Sequence, residues 1–376
     1  NREPFSSSQW SEIPQAGHPG PGVNVILGGG DVGKSTILEA IALLFSPVNT
    51  SVLADTDYYQ RDIGVEFVIE AVAELPASTR ISDQTKHSWP WGWDGKEVFV
   101  PGIEDDAAKA TKPVYRLRVR GTEDFDLTYE IVQPDGSVDT LSVALRRAIG
   151  LVRLAGDDRN DRDLRLVHGS GLSRLLADKG LRSRLAAELS KDEIKDELGP
   201  DAQKSLKELD VAFKKERLPS DLELAYVGGQ SVSIASLVGL TAKQGEVQLP
   251  LGSWGSGTRR LASLMIAEQN QTECPITIVD EVERGLEPYR QRTLMTRLQS
   301  SPSQAFVTTH SPSAVETATD AKLWYVDASH AIGGLEGDAL GRLRRHDPLA
   351  LLSRLTIVAE GITEVGFVST LLQRAL

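Results

Sequence analysis

The hydrophobic pattern in the first third of the chain predicts a strand, a loop, a helix and then a β-rich segment. Val23 to Leu27 is a mainly apolar run that leads into a glycine-rich turn, and Ile37 to Phe45 then places apolar residues at helical spacing. Between residues 64 and 138 apolar and polar residues alternate in short segments, and a PDGS turn follows at 134–137. We therefore expect an antiparallel β-rich insertion after the first helix.

The pattern then becomes helical before it returns to strands. Residues 171–220 repeat leucine at roughly helical spacing, with Gly199-Pro200 as a break, which predicts a helical hairpin or arm. Its heptads are too few for a long coiled coil. Apolar runs follow at 276–279, 304–307 and 355–359, and each of them predicts a strand.

Composition is that of an ordinary globular protein with more than one core. Of the 376 residues, 40% are hydrophobic and 25% are charged. The single cysteine, Cys274, excludes an internal disulfide and is expected to be a small core residue in a reducing compartment. The sequence has neither an apolar stretch of roughly 20 residues nor a signal-peptide core, so we expect a cytoplasmic protein with no membrane partner.

The charge balance limits how the chain can contact nucleic acid. A net charge of −12, from 41 basic and 53 acidic residues, argues against a generally basic nucleic-acid coat. Any contact with DNA must therefore be focal. Arg159, Arg162 and Arg165 lie in an alternating charge run, although such runs are usually a solvated face. The tryptophan-rich segment 88–98 favours structural packing over a base-stacking platform.

The glycine-rich turn after the first strand has P-loop spacing, with Gly28, four further residues and then Gly33, Lys34 and Ser35. Glycines let the backbone N–H groups close on phosphates, and the helix that begins near Gly33 adds its partial positive charge. Lys34 is expected to reach the β- and γ-phosphates, and Ser35 to ligate Mg²⁺. ATP and Mg²⁺ are therefore the expected cofactors, and the expected nucleotide-binding set is Gly28, Gly30, Asp31, Gly33, Lys34, Ser35 and Thr36.

The chemistry of hydrolysis is predicted at the ends of two later strands. Asp280, which ends the run ITIVD, is placed to bind the Mg²⁺ held by Ser35, and Glu281 is placed to orient or deprotonate the attacking water. His310, at the tip of QAFVTTH, is a candidate γ-phosphate switch, although a lone histidine is more often a surface residue. We therefore expect Lys34, Glu281 and His310 to be the catalytic residues.

Two weaker candidates complete the predicted nucleotide site. The small-residue turn in LPLGSWGSGTRRL opens a helix, and free N–H groups at a helix start bind anions, which brings in Ser256 and Gly257. Gln60, in the polar segment DTDYYQRD, is a candidate γ-phosphate sensor, and a plain surface loop is an equally good interpretation.

The order of GGGDVGKST, GSWGSGTRRL, ITIVDEVE, GLEPYRQ and TTHSPSAVE resembles the ABC-type ATPases of the SMC-like group. Within that group it resembles the OLD (overcoming lysogenisation defect) family of ATP-dependent nucleases. The resemblance implies a homodimer or higher homo-oligomer, with DNA and a defence-system protein as partners. The implied motifs are Walker A at Lys34 and Ser35, a signature turn at 255–257 acting on the partner subunit's ATP, Walker B at Asp280 and Glu281, a D-loop at 285–288, and a switch histidine at His310. The turn lacks the usual serine-glycine-glycine core, which leaves Ser253 and Ser256 as alternative γ-phosphate contacts.

The segment LTIVAEGITEVGF, residues 355–367, resembles the opening of a Toprim domain, whose first strand presents a metal-binding glutamate. The resemblance implies that Glu360, together with Glu364 in the next helix, binds the Mg²⁺ or Mn²⁺ used in phosphodiester cleavage. One more βα unit with exposed acids is the alternative. A complete Toprim site also needs later aspartates, which we expect beyond Leu376.

The predicted fold class is α/β: an ABC-type P-loop ATPase core with a β-rich insertion and a helical arm, followed by the first βα unit of a Toprim domain. The leading function is an ATPase whose dimerisation licenses DNA cleavage in anti-phage defence. An SMC-like clamp without nuclease activity is the alternative, and the ATP subunit of a membrane transporter is disfavoured by the long charged arm. The predicted divisions are 1–170 (P-loop and β-rich part), 171–220 (helical arm), 221–347 (signature to switch histidine) and 348–376 (start of Toprim).

Overall fold

The structure is a computed structural model of the chain. It describes residues 18–47, 53–81, 89–101, 112–154, 160–167, 170–176, 181, 198–226, 238–269, 275–335, 337–353, 356–357 and 359–375. The described residues do not include Arg159 or Cys274. They also leave out residues 177–180 and 182–197 of the predicted helical arm.

The described strands and helices are named here in chain order. The strands are β1 (Val23–Gly28), β2 (Phe67–Ala73), β3 (Trp91–Trp93), β4 (Val98–Phe99), β5 (Lys112–Gly121), β6 (Leu127–Val132), β7 (Val138–Thr140), β8 (Leu151–Leu154), β9 (Glu223–Tyr226), β10 (Val238–Gln244), β11 (Val247–Pro250), β12 (Ile276–Val279), β13 (Gln304–Thr308), β14 (Lys322–Val326) and β15 (Ile332–Leu335). The α-helices are α1 (Lys34–Phe45), α2 (Val143–Ile149), α3 (Asn160–Asp163), α4 (Gly171–Leu176), α5 (Pro200–Lys215), α6 (Ser256–Gln269), α7 (Pro288–Ser300), α8 (Pro312–Thr317), α9 (Asp338–His346) and α10 (Ile362–Ala375). Short 3₁₀ turns lie at Asp55–Asp57, Tyr59–Arg61, Ala77–Thr79, Leu251–Ser253 and Pro348–Leu351.

The centre of the molecule is a six-stranded sheet with the order β15-β14-β1-β13-β12-β8. Five of its strands are parallel, and β15 runs antiparallel to β14. β1 is buried along its whole length, as expected of a central strand covered on both faces. Because β13 lies between β1 and β12, the carboxyl ends of these three strands share one edge of the sheet. The predicted α/β fold and the predicted strand-loop-helix around the P-loop are confirmed.

The two faces of this sheet support different cores. On one face, α1 packs with the β-rich insertion through Leu38, Leu117 and Ile131, all at most 2% exposed. On the other face, α7 and α8 contribute Leu294 and Val315, both at most 1% exposed. Burying these apolar side chains provides the main stabilisation of the arrangement. It also fixes α1, and with it the start of the P-loop helix, against β1.

The predicted β-rich insertion is an antiparallel sheet built around β5. β5 pairs with β2, β3 and β6, and the order β4-β3-β5-β6-β7 includes every strand except β2, which pairs with β5. Its outer face carries cross-strand ion pairs in which Glu70 accepts from both Arg116 and Arg118. Exposed pairs of this kind contribute at most about 1 kcal/mol each. The apolar inner face is therefore what holds the insertion to α1.

The tryptophan-rich segment packs against this insertion. The indole Nε1 of Trp91 donates to the Val132 carbonyl at 2.8 Å. Trp93 makes an edge-to-face contact with His18, with ring centroids 4.7 Å apart. Trp89 is 56% exposed. Two of the three tryptophans thus serve packing, as predicted.

The described part of the predicted helical arm packs into a third core. Leu209 and Phe213 of α5 are fully buried and share a cluster with Leu240 of β10 and with Met265 and Ile266 of α6. The three-stranded sheet β11-β10-β9 borders this cluster. The helix that begins at Ser256 is therefore held between this core and the central sheet.

The C-terminal segment differs from the sequence prediction. The helix expected after Glu360 is formed as α10, but residues 356–357 and 359–360 form no strand. Ile357 is 49% exposed, and Ile362 and Phe367 of α10 are 89% and 65% exposed. An apolar run becomes a strand only where another strand pairs with it, and none does so in the described residues. Over the described residues, every helix is too short or too polar to cross a membrane.

Candidate nucleotide-binding site

The P-loop backbone has the shape that a phosphate cradle requires. Gly33 has a φ of 97° and immediately precedes α1, which has no side-chain cap at its start. The first N–H groups of a helix lack intrahelical partners, so they are available to an anion. Asp31 also lies in the left-handed region, with a φ of 58°. A Cβ at Gly28 would lie 2.5 Å from the Val326 carbonyl oxygen, so only glycine fits there.

Lys34 is folded back onto the loop that precedes it. Its side chain is 8% exposed, and its Nζ donates to the carbonyls of Gly28 at 3.2 Å and Gly29 at 2.5 Å. Burial lowers the pKa of Lys34, while the carboxylates of Asp280 and Glu281 act in the opposite direction. A buried ammonium held by two backbone carbonyl groups is well suited to exchange them for phosphate oxygens.

Ser35 and Asp280, which are far apart in sequence, are in contact. The Ser35 hydroxyl donates to Asp280 Oδ1 at 3.2 Å, and the Thr308 hydroxyl donates to the same oxygen at 2.6 Å. The contact arises because β12 and β13 end at the same edge of the sheet, beside the start of α1. A hydroxyl and a carboxylate are hard oxygen ligands of the kind Mg²⁺ prefers, so these residues fit the ion that a P-loop would hold. Thr308 is a contact that sequence analysis missed.

Glu281 occupies a constrained turn directly after β12. Its φ is 51°, an uncommon value for a residue other than glycine. Its N–H donates to Thr308 Oγ1 at 2.8 Å, and its carboxylate lies 3.4 Å from Arg284 Nη1. Its side chain is 46% exposed, so a water molecule can reach the carboxylate.

His310 is placed by a carboxylate that sequence analysis did not assign. The His310 N–H donates to Glu283 Oε1 at 2.8 Å, and the Thr309 hydroxyl donates to Glu283 Oε2 at 2.6 Å. Thr309 is fully buried, whereas His310 is exposed. Glu283 therefore ties the end of β13 to the turn after β12. The acidic run DEVE contained this residue, but nothing in the sequence showed which backbone it would meet.

The predicted signature turn contacts the predicted D-loop of the same chain. Ser256 is exposed and Gly257 is buried, and a Cβ on Gly257 would lie 2.1 Å from the Gly285 carbonyl oxygen. Arg260, one turn into α6, is 2% exposed and donates to backbone carbonyls around Asp280. Burial lowers the pKa of Arg260 to about 10, although the neighbouring carboxylates oppose this shift. Arg260 is a third residue that sequence analysis missed, after Thr308 and Glu283.

Three predicted site residues make no described contact with the edge of the sheet where the P-loop and Asp280 lie. Gln60 is exposed, has a φ of 49°, and makes no hydrogen bond to the P-loop among the described residues. Glu360 and Glu364 are exposed and interact with each other, since the Glu360 N–H donates to Glu364 Oε2 at 2.7 Å. Within the described ranges, no group of three or more His, Cys, Asp or Glu side chains is arranged to hold a metal ion.

A parallel sheet with a P-loop at one strand end and a magnesium-type carboxylate two strands away defines a P-loop ATPase. Residues 123–316, just over half of the chain, match the AAA_21 family, described as "AAA domain, putative AbiEii toxin, Type IV TA system". The chain belongs to this family. The P-loop itself lies ahead of the matched range.

The fold is similar to that of a solved SMC head domain. A crystal structure of the SmcHead bound to the C-winged helix domain of ScpA has a TM-score of 0.51 and 15% sequence identity, covering 85% of this chain and 92% of that one. The Smc head domain with an extended coiled coil bound to the C-terminal domain of ScpA, derived from Pyrococcus furiosus, has a TM-score of 0.42 and 14% identity, covering 84% of this chain and 89% of that one. No curated protein matches the sequence significantly. The family and the P-loop together support an ATP-binding ATPase, and its fold is like that of an SMC head domain.

Proposed function

We propose that this chain binds ATP with Mg²⁺ in the P-loop and hydrolyses it in a homodimer. The observation that carries the proposal is the contact between Ser35 and Asp280 at 3.2 Å, which joins the P-loop helix to the end of β12. Lys34, Glu281 and His310 belong to the same edge of the sheet. A phosphate-binding loop, two magnesium ligands, a base and a switch residue are what phosphoryl transfer to water requires.

Each residue has a distinct role in this proposal. The N–H groups at the start of α1 and the Lys34 ammonium bind the β- and γ-phosphates, which lowers the cost of charge that develops in the transition state. Ser35 and Asp280 hold Mg²⁺, and the ion supplies further charge neutralisation when it is bound. Glu281 accepts a proton from the attacking water, and His310 contacts the γ-phosphate. Gln60 remains a candidate second contact to that phosphate.

Dimerisation is proposed because Gly255 and Ser256 of the signature turn are exposed, while Gly257 lies against the D-loop of the same chain. Ser256 and Gly257 begin α6, a helix of 14 residues whose first N–H groups can receive a phosphate from another subunit. ATP bound between two P-loops and two signature turns would then contribute part of the dimer interface. We therefore expect bound nucleotide to stabilise the proposed homodimer.

The further step, coupling to DNA cleavage by a Toprim module as in the OLD family, is proposed from the sequence resemblance of residues 355–367. The start of α10 next to Glu360 agrees with it. DNA and a defence-system protein are the partners in this version, with Mg²⁺ or Mn²⁺ at Glu360 and Glu364. Arg162 is exposed and is a candidate for a focal DNA contact.

An ATP-switched clamp without nuclease activity is favoured by one observation. The Glu364 carboxylate accepts the Glu360 backbone N–H at 2.7 Å, so the Glu364 side chain serves the start of α10 much as a helix cap does. In that version Glu364 stabilises the helix, and neither glutamate binds a catalytic metal.

ATP hydrolysis and the mass of the protein in solution test the proposal together. We expect Mg²⁺-dependent release of phosphate, and a dimer that accumulates with ATP when Glu281→Gln blocks hydrolysis. Wild-type protein that releases no phosphate would show that the site is not an ATPase. Hydrolysis by a species that remains a monomer at every ATP concentration would refute only the proposed dimer.

A further inference from the structure

Arg260 of α6 is buried against the turn that carries Glu281. Its side chain is 2% exposed. Its Nη1 donates to the Glu281 carbonyl at 2.6 Å and the Arg284 carbonyl at 3.1 Å, and its Nη2 donates to the Asp280 carbonyl. One rigid guanidinium thus donates hydrogen bonds to three carbonyl oxygens of a single turn.

The Glu281 backbone needs such support. A φ of 51° is disfavoured for a residue with a side chain, because the Cβ comes close to the following carbonyl oxygen. The Glu281 N–H is held by Thr308 Oγ1 at 2.8 Å and its carbonyl by Arg260. Both flanking peptide groups are therefore fixed, and these groups determine the direction in which the Glu281 carboxylate leaves the backbone.

Arg260 also lies on the helix that carries the signature turn. Gly257 of this turn approaches Gly285 so closely that a Cβ would lie 2.1 Å from the Gly285 carbonyl oxygen. Backbone contact at Gly257 and guanidinium contact at Arg260 join α6 to one turn at two separate points. The signature turn and the Glu281 turn consequently have one fixed geometry relative to each other.

We propose that Arg260 is a positioning residue, which holds the Glu281 carboxylate in the orientation needed for hydrolysis and fixes it relative to the signature turn. This inference rests on the proposed ATPase function. Arg260 has no direct contact with nucleotide in this role, so it affects the rate of hydrolysis and leaves the affinity for ATP unchanged. A lysine at this position keeps the charge but cannot reach three carbonyls from one planar group.

The test compares Arg260→Lys with Arg146→Lys. Arg146 is an equally buried arginine, 1% exposed, which packs 3.5 Å over the Tyr129 ring and donates to the Ser46 carbonyl, outside the nucleotide site. Both substitutions are expected to lower the melting temperature. Only Arg260→Lys is expected to reduce kcat, by about 10- to 100-fold, because small displacements of a catalytic group have effects of that size.

Two further measurements separate positioning from folding. The affinity for a non-hydrolysable ATP analogue, measured by calorimetry, should stay within about twofold of wild type in Arg260→Lys. Amide hydrogen exchange at Glu281 and Val282 should become faster in Arg260→Lys and stay unchanged in Arg146→Lys. The inference is wrong if kcat is unchanged in Arg260→Lys, or if kcat and analogue affinity fall together as they would on partial unfolding. Failure of wild-type protein to hydrolyse ATP would instead refute the proposed function, and this inference with it.

Discussion

Removing the carboxylate of Glu283 should slow hydrolysis without weakening ATP binding. Glu283 accepts the Thr309 hydroxyl at 2.6 Å and the His310 N–H at 2.8 Å, and it contacts no residue of the P-loop through either bond. Its proposed effect is to fix the end of β13, from which the His310 side chain extends. Glu283→Ala removes both acceptors, and Glu283→Gln leaves one oxygen and removes the charge.

The magnitude follows from these two bonds. A hydrogen bond to a charged group contributes about 1.5–3 kcal/mol and a neutral one about 0.5–1.5 kcal/mol. In Glu283→Gln the amide oxygen can still accept the His310 N–H while the Thr309 hydroxyl turns to accept from the amide nitrogen, so the loss is about 1 kcal/mol per bond. If all of it appears in the activation barrier, kcat falls by up to about 30-fold. Glu283→Ala leaves the Thr309 hydroxyl buried without its acceptor, and a fall of about 100-fold or more is expected.

Steady-state phosphate release gives kcat and KM, and calorimetry with a non-hydrolysable analogue gives the affinity. Glu316→Gln is the matched control, because Glu316 on α8 is an exposed carboxylate whose partner is Arg292, 3.4 Å away and outside the site. It should leave kcat unchanged. An unchanged, wild-type kcat in Glu283→Ala would refute the idea that this carboxylate positions the end of β13 and His310. A loss of analogue affinity together with kcat would show that Glu283 supports the whole site.

Three further predictions test the site and its extension. Lys34→Ala should abolish ATP binding in calorimetry while the circular dichroism spectrum stays that of the wild type, and unchanged affinity would contradict the P-loop assignment. Glu281→Gln should bind ATP, stall hydrolysis and accumulate a dimer, and equal monomer fractions in sedimentation with and without ATP would argue against a nucleotide-bridged dimer. The 1–376 protein should not nick supercoiled plasmid with Mn²⁺, since two-metal cleavage needs several carboxylates around ions about 4 Å apart and Glu360 and Glu364 supply only one side. Nicking that is lost in Glu360→Ala would show that other ligands complete a metal site.

The sequence predicted those parts of the site that are contiguous in the chain. A P-loop is read from spacing alone because its glycines, Lys34 and Ser35 all lie on one turn and act through their own backbone. Asp280 and Glu281 were found because an apolar strand ending in acids is itself a local pattern. The contact between the P-loop and Asp280 depends on the order of the strands in the sheet. The structure provides this order by placing β13 between β1 and β12.

Residues that act across elements were not predictable in the same way. Thr308 ends β13, and a valine at this position would fit the strand pattern equally well. Its role in the site comes from the hydrogen bond that it donates to Asp280, 28 positions away in the sequence. In the sequence, Arg260 looks like any basic residue on the exposed face of an amphipathic helix. Only the structure shows that it is buried. The described residues 356–357 and 359–360 show the opposite case, because they form no strand although the sequence there is largely apolar. Hydrophobicity indicates a preference for burial and does not supply the partner strand that pairing needs.

The turn after β12 is held from two sides, and this arrangement has a consequence for control of hydrolysis. From β13, Thr308 holds the Glu281 N–H and the Asp280 carboxylate. From α6, Arg260 holds the carbonyls of the same two residues. The strand leads to the proposed γ-phosphate switch in the same subunit, and the helix begins at the turn proposed to contact the other subunit's ATP. Because Glu281, the proposed base, is held jointly by these two elements, we expect the loss of either contact to slow hydrolysis.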